Sequence, residues 1–153
     1  MTEKTCCVTG HREIPEDKKE YVIAELEKEI RAAVADGYTR FISGFAEGVD
    51  LIFAALIIEL KAQGHPLVQE AALPYRGRLN SDDQDFQKIL SLCDRIKVLC
   101  DKPSRSCYHI RNQYMVDESS RVIAVYDGRE DGGTSYTINY ANTQGKTVRT
   151  IKI

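Results

Sequence analysis

No stretch of this 153-residue chain is long and apolar enough to span a bilayer as a helix. Its longest uncharged apolar run, Leu51 to Ile58, falls far short of the roughly 20 residues required, and no membrane association is expected. The opening Met1-Thr2-Glu3-Lys4 carries no leader pattern, so the expected location is cytoplasmic. An excess of charge of one sign is also missing: 21 Lys and Arg stand against 23 Asp and Glu, for a net charge of −2. That balance excludes a generic polybasic coat for nucleic acid or membrane, although it says nothing of local clusters. Long polar tracts, linkers and internal repeats are absent too. With 42% hydrophobic residues the chain is not disordered, and residues 1–153 are expected to form a single domain. The five cysteines include no C-x-x-C pair: Cys6 and Cys7 are adjacent, and Cys93, Cys100 and Cys107 recur every seven residues. Without ligand spacing no metal site is expected, and the thiols are expected to be reduced and mostly buried.

What is present is a regular alternation of strand and helix patterns. Thr5 to Thr9 is short, β-branched and apolar, and predicts a first strand ending at Gly10. Pro15 is placed in a first helical turn with Glu16 and Asp17 at its positive end. Val22, Leu26, Ile30 and Ala33 follow at helical spacing up to a stop at Gly37. Arg40–Ser43 is the second strand. A second helix runs from about Glu47 to Gln63, apolar all round over Leu51–Ile58; such a helix is either deeply covered or lies at a subunit interface. Further strands are predicted at Leu67–Leu73, Ile96–Leu99, Val122–Tyr126 and Thr147–Ile153. Helices come between them: one capped by Asp82 or Asp83, one over Tyr108–Ser119, and one from a capping Thr134 to Gln144. This alternation predicts an α/β, Rossmann-like, doubly wound and mostly parallel sheet with helices on both faces.

In such sheets ligands bind beyond the carboxyl ends of the strands, so the loops leaving them are the candidates. Gly10-His11-Arg12 presents a proton-shuttling imidazole and a phosphate-matching guanidinium after a tight turn; a solvated loop is the plainer alternative. Ser43-Gly44-Phe45-Ala46-Glu47-Gly48-Val49-Asp50 brackets a strand-to-helix turn with two glycines, where backbone N–H groups can point at an anion. It is neither G-x-G-x-x-G nor G-x-x-x-x-G-K-[ST], which disfavours a conventional dinucleotide fold or ATPase. For Asp50, holding the loop by hydrogen bonds is the better reading. Pro74-Tyr75-Arg76-Gly77-Arg78 pairs an aromatic face with two cations. Lys102, Arg105, His109 and Arg111 would extend it into a basic rim, with Arg111 and Asn112 directed into the crevice. Asp127-Gly128-Arg129-Glu130-Asp131-Gly132-Gly133-Thr134 opens a last helix with free N–H donors suited to a phosphate.

Taken in order, Thr9-Gly10-His11-Arg12, Ser43-Gly44-x-x-x-Gly48-x-Asp50, Arg111-Asn112-x-x-Met115, and Asp127-Gly128 with Gly132-Gly133-Thr134 resemble the YpsA-like branch of the SLOG superfamily. That superfamily unites Rossmann-like domains of the DNA-processing protein of natural transformation and of the Lonely Guy phosphoribohydrolases. The resemblance runs from Cys7 to about Ala141 and implies a pocket for a nucleotide or nucleotide derivative built from the Gly10, Gly44 and Gly133 loops. The phosphoribohydrolases carry G-G-x-G-T-x-x-E, whose glutamate works with an arginine to cleave a base–ribose bond. Here Arg111 resembles that arginine, but Thr137 stands where the glutamate would be, and the mechanism loses a principal member. Glu47 or Asp127 could replace it from another loop.

The leading expectation is therefore a binding domain without turnover. Its ligand would be a nucleotide or an ADP-ribose-like small molecule, its phosphate held by glycine-rich loops at helix N-termini. A nucleotide hydrolase of phosphoribohydrolase type is one alternative. Single-stranded nucleic-acid binding through Tyr75 and the basic rim is another. A homo-oligomer sharing the second helix is compatible with all three.

Overall fold

The computed structural model describes residues 3–153; Met1 and Thr2, part of the opening stretch read above for a leader, lie outside the described residues. In chain order the elements are β1 (Thr5–Gly10), α1 (Lys19–Ala35), β2 (Arg40–Ser43), α2 (Val49–Ala62), β3 (Val68–Tyr75), α3 (Gln84–Ser91), β4 (Arg95–Cys100), α4 (Cys107–Glu118), β5 (Arg121–Tyr126), α5 (Gly133–Thr143) and β6 (Thr147–Lys152). The strands pair in parallel in the order β4-β3-β2-β1-β5-β6. This is the predicted Rossmann-like α/β fold.

Because strand side chains alternate between faces, β1 buries Cys6 and Val8 on one side and Cys7 on the other. The first side packs against α1, whose Val22, Leu26, Ile30 and Ala33 form the buried stripe, and against Phe53, Leu56, Ile57 and Leu60 of α2. Around Phe45, α3 adds Phe86 and Leu90 to that layer, with the two rings edge-on at 5.6 Å. The opposite side carries Met115 and Val116 of α4 and Ala141 of α5. Of the all-apolar stretch of α2, Phe53, Ala54, Leu56 and Ile57 are buried between sheet, α1 and α3, while Leu51, Ile52, Ala55 and Ile58 are only half-buried. No helix among the described residues is long and apolar enough to cross a membrane.

Several local expectations are corrected. Pro15 does not enter the first helical turn; it precedes a 3₁₀ turn over Glu16–Lys18, and α1 begins only at Lys19. Pro74 and Tyr75 are the end of β3 rather than loop, and Arg76–Asn80 form a second 3₁₀ turn. Thr134 does not cap α5: Gly132 takes the N-cap position without any side-chain cap, and Thr134 lies in the first turn. Of the two cap candidates Asp82 and Asp83, it is Asp83 that caps α3, accepting the N–H groups of Asp85 and Phe86.

Candidate functional site

The chain walks outward from β1 to the β4 edge, then returns to lay β5 on the other side of β1. The crevice at this reversal, above the carboxyl ends of β1 and β5, is where an open α/β sheet takes a ligand. A cavity of about 510 Å³ opens there. Its floor is Thr9 and Gly10 of β1. One wall is the following loop, His11 to Glu13; a second is α4, with Tyr108, His109, Arg111, Asn112 and Met115. The third is the start of α5, with Arg129, Gly132, Gly133 and Thr134, while Ala46 and Asp50 close the side toward α2.

The α5 wall is the anion-ready one. An uncapped helix start leaves its first N–H groups free, and the helix dipole adds positive potential there. Gly133 keeps the backbone open, because a Cβ at this position would meet nothing nearer than the Asn112 Nδ2 at 3.9 Å. The Gly44–Gly48 turn is different. The Phe45 N–H donates to Ser43 Oγ (3.2 Å), the Ala46 N–H to Asp50 Oδ2 (3.2 Å) and the Val49 N–H to the His11 carbonyl (3.3 Å). Three of the donors expected to face an anion are thus spent inside the chain. Its glycines serve close packing: a Cβ on Gly44 would lie 2.5 Å from Arg111 Nη1, and one on Gly48 2.4 Å from the Arg12 carbonyl.

Arg111 links the two loops. Only 5% exposed, it donates from Nη1 to the Gly44 carbonyl (2.6 Å) and from Nε to Asn112 Oδ1 (2.8 Å). The Tyr108 ring stands 5.6 Å from this guanidinium and 5.4 Å from that of Arg12. Tyr108 escaped the sequence reading, although its position three residues before Arg111 puts both on one face of α4. Asp50 is buried beside Arg111 without a direct ion pair. Burial raises its pKa to about 6 against the pull of Arg111, the Ala46 N–H and Arg12. His11 Nε2 lies 3.2 Å from both the backbone N–H and the Oδ1 carboxylate oxygen of Asp127. Burial lowers the imidazole pKa, outweighing the nearby Asp127 carboxylate.

The remaining candidates are dispersed. Gly44 and Glu47 line a smaller cleft of about 130 Å³ that shares Arg12, Ala46, Tyr108 and Arg111 with the main cavity. Gly48 and Glu47 border an outer groove with Leu51 and Ile52. Ser43 is fully buried, its hydroxyl bonded to the Asp50 carbonyl (2.8 Å). Asp127 lies behind the wall, held by Arg129 Nε at 3.0 Å, and Arg129 keeps its carboxyl well below the usual range. Arg76 is exposed and paired with Asp101 (2.9 Å), and Lys102 and Arg105 sit in the exposed approach to α4. The continuous basic rim is therefore replaced by Arg12, Arg111 and Arg129 around the cavity. Thr137 is buried, its hydroxyl donating to the Gly133 carbonyl (2.7 Å). Of the two carboxylates considered in place of the missing glutamate, neither Glu47 nor Asp127 lines the main cavity; the buried carboxylate that does is Asp50.

Asp50 gives a direct pH test. Its folded pKa is raised, so the stability tied to its proton is fully present below the unfolded carboxyl value of about 3.9 and is lost as pH rises toward 6. The stability of the wild-type chain minus that of Asp50→Asn is expected to fall by roughly 2 kcal/mol between pH 4 and 7. Urea titrations across that range check it, and a flat difference would mean Asp50 titrates normally.

The family described as the YspA SLOG family, YpsA, matches this chain over residues 6–153. A UPF0398 protein of Bacillus pumilus is 23% identical over 151 residues, covering 90% of this chain and 81% of that protein. The uncharacterized SPbeta prophage-derived protein YoqJ of Bacillus subtilis is 33% identical over 119 residues, covering 67% of this chain and 68% of its own. Among solved structures, DNA processing protein A from Helicobacter pylori, described for its single-stranded DNA binding mode, superposes with a TM-score of 0.70 at 18% identity. That match takes in 97% of this chain and 65% of the Helicobacter chain. The X-ray structure of TM1055 superposes with a TM-score of 0.62, also at 18% identity, covering 95% of this chain and 72% of that one. At these identities the structural likeness speaks for the fold.

Proposed function

The chain belongs to the YspA SLOG family, and from that premise we propose that it is a cytoplasmic binding domain for a nucleotide or nucleotide-derived small molecule. The whole chain acts as one domain in this reading. The observation that carries it is the uncapped start of α5 opening into a cavity of about 510 Å³ whose walls also hold Arg12, Arg111 and Arg129. A phosphate accepts the free N–H groups around Gly133 and Thr134, with the helix dipole and the guanidinium groups balancing its charge. Tyr108, already flanked by two guanidinium groups, offers the apolar face on which a base stacks. Binding without turnover fits Thr137, whose hydroxyl is tied to its own helix.

The test is a thermal-shift screen with AMP, ADP, ATP, ADP-ribose, NAD and a short oligonucleotide, followed by chromatography of any hit. A ligand at ~100 times its dissociation constant is expected to stabilise the fold by about 2.7 kcal/mol. Recovery of the ligand intact supports the binding reading; appearance of free base or ribose phosphate supports the hydrolase instead. Stabilisation by the oligonucleotide alone, weakening steeply with salt, would transfer the single-stranded DNA reading from the Helicobacter protein to this one. No shift with any of them defeats the proposal.

A further inference from the structure

Resting on that nucleotide reading, we infer that Asp50 and Arg111 together read a ribose hydroxyl, so that the cavity takes ribonucleotides in preference to their deoxy counterparts. Both side chains are more than nine-tenths buried and both line the cavity, yet they form no ion pair with each other among the described residues. Each is held from behind. Asp50 Oδ2 accepts the Ala46 N–H at 3.2 Å and its carbonyl accepts Ser43 Oγ at 2.8 Å. Arg111 is anchored through Nη1 to Gly44 and through Nε to Asn112. Among the described residues no protein partner is bonded to Asp50 Oδ1 or to Arg111 Nη2.

These two atoms, an acceptor and a donor on residues that line one cavity, can both be served by a ligand group that donates and accepts through one atom. A hydroxyl does this: its O–H goes to the carboxylate while its lone pair takes the guanidinium N–H. A phosphate is a poor occupant, because the carboxylate repels it. The other acid of the cavity wall, Glu13, is exposed, so Asp50 is the desolvated acceptor. The α5 start and Asp50 line the same cavity, so a nucleoside 5′-phosphate held by its phosphate at the α5 start turns its sugar diol toward Asp50 in this reading. The base then emerges toward Tyr108.

The experiment is calorimetric titration of the wild-type chain with AMP, GMP, CMP and UMP, each against its 2′-deoxy and 3′-deoxy forms. At least one deoxy form is expected to bind ~10- to 100-fold more weakly, the usual worth of a hydrogen bond to a charged group. In Asp50→Asn, which keeps the shape of the side chain, the preference is expected to shrink to a few-fold or less; a purely structural aspartate would weaken ribo and deoxy ligands alike. Equal affinity of the wild-type chain for ribo and both deoxy forms overturns this inference and leaves the nucleotide reading standing. Failure of all four ribonucleoside monophosphates to bind also overturns this inference, while the nucleotide reading is decided by the wider screen that includes ATP, ADP-ribose and NAD. The wild-type comparison needs no variant, so it holds even if Asp50→Asn folds poorly.

Discussion

Gly48→Ala is expected to destabilise the fold by about 4 kcal/mol, from backbone strain and overpacking together. Gly48 has φ +79 and ψ −123 at the N-cap of α2, a combination that side-chain-bearing residues rarely adopt. A Cβ there would also lie 2.4 Å from the Arg12 carbonyl oxygen, 2.6 Å from that of His11 and 2.8 Å from the Arg12 carbonyl carbon. All three are backbone atoms, so no rotamer change relieves the clash. Relief requires the β1–α1 loop to lift from α2, which breaks the Val49 N–H bond to the His11 carbonyl and displaces His11 and Arg12 from the cavity wall. Gly64→Ala is the control. Its φ is +98, but a Cβ would meet nothing within 4 Å, and its cost is confined to the left-handed conformation, about 1–2 kcal/mol. The difference in urea midpoints between the variants therefore isolates the contact between loops. Equal costs would show that the two loops separate freely and that the glycine serves only its own dihedral angles.

That contact also marks where the sequence stops being informative. Gly37, Gly64 and Gly145 were legible as helix stops, and each follows its helix with positive φ. A helix terminus is a local event, governed by a few adjacent residues. The alternation of strands and helices was legible for the same reason, as was a cap on α3 at Asp82 or Asp83. Gly44 and Gly48 were legible as a turn but not as packing glycines. The atoms that forbid a side chain there come from Arg111 and from the β1–α1 loop, remote in sequence. Arg76 was legible as an arginine beside a tyrosine, but not its exposed pairing with Asp101, 25 positions on. Thr134 was assigned as a cap from its type alone, and Gly132 displaced it because a positive φ at the N-cap suits glycine. The crevice was predictable from topology. Which carboxylate faces it was not, since Glu47, Asp50 and Asp127 all lie in loops or first turns, and their orientations depend on tertiary contacts.

Arg111→Met is expected to cost about 3 kcal/mol at neutral pH, from the lost charged hydrogen bond to the Gly44 carbonyl and from a desolvated Asp50 left without its neighbouring cation. The loss has two sources that can be separated. Arg111 ties α4 to the Gly44 carbonyl through a 2.6 Å bond, and this contribution does not depend on pH. Its charge also holds down the pKa of Asp50 against burial, while Asp50 in turn supports the buried guanidinium. Without Arg111 the carboxylate is left desolvated, its pKa rises further above 6, and stability is lost over a wider span as pH increases. At pH 4, where Asp50 is largely protonated in either chain, only the lost tether remains and the cost is expected to fall by more than half. Combining Arg111→Met with Asp50→Asn removes the stranded charge, so the double variant is expected to be more stable at pH 7 than Arg111→Met alone, with a coupling of at least about 1 kcal/mol. Urea unfolding of the four chains at pH 4 and pH 7 measures both. A cost independent of pH together with strict additivity would reduce Arg111 to a mechanical strut, and would remove the electrostatic link on which a shared hydroxyl site for Asp50 and Arg111 depends.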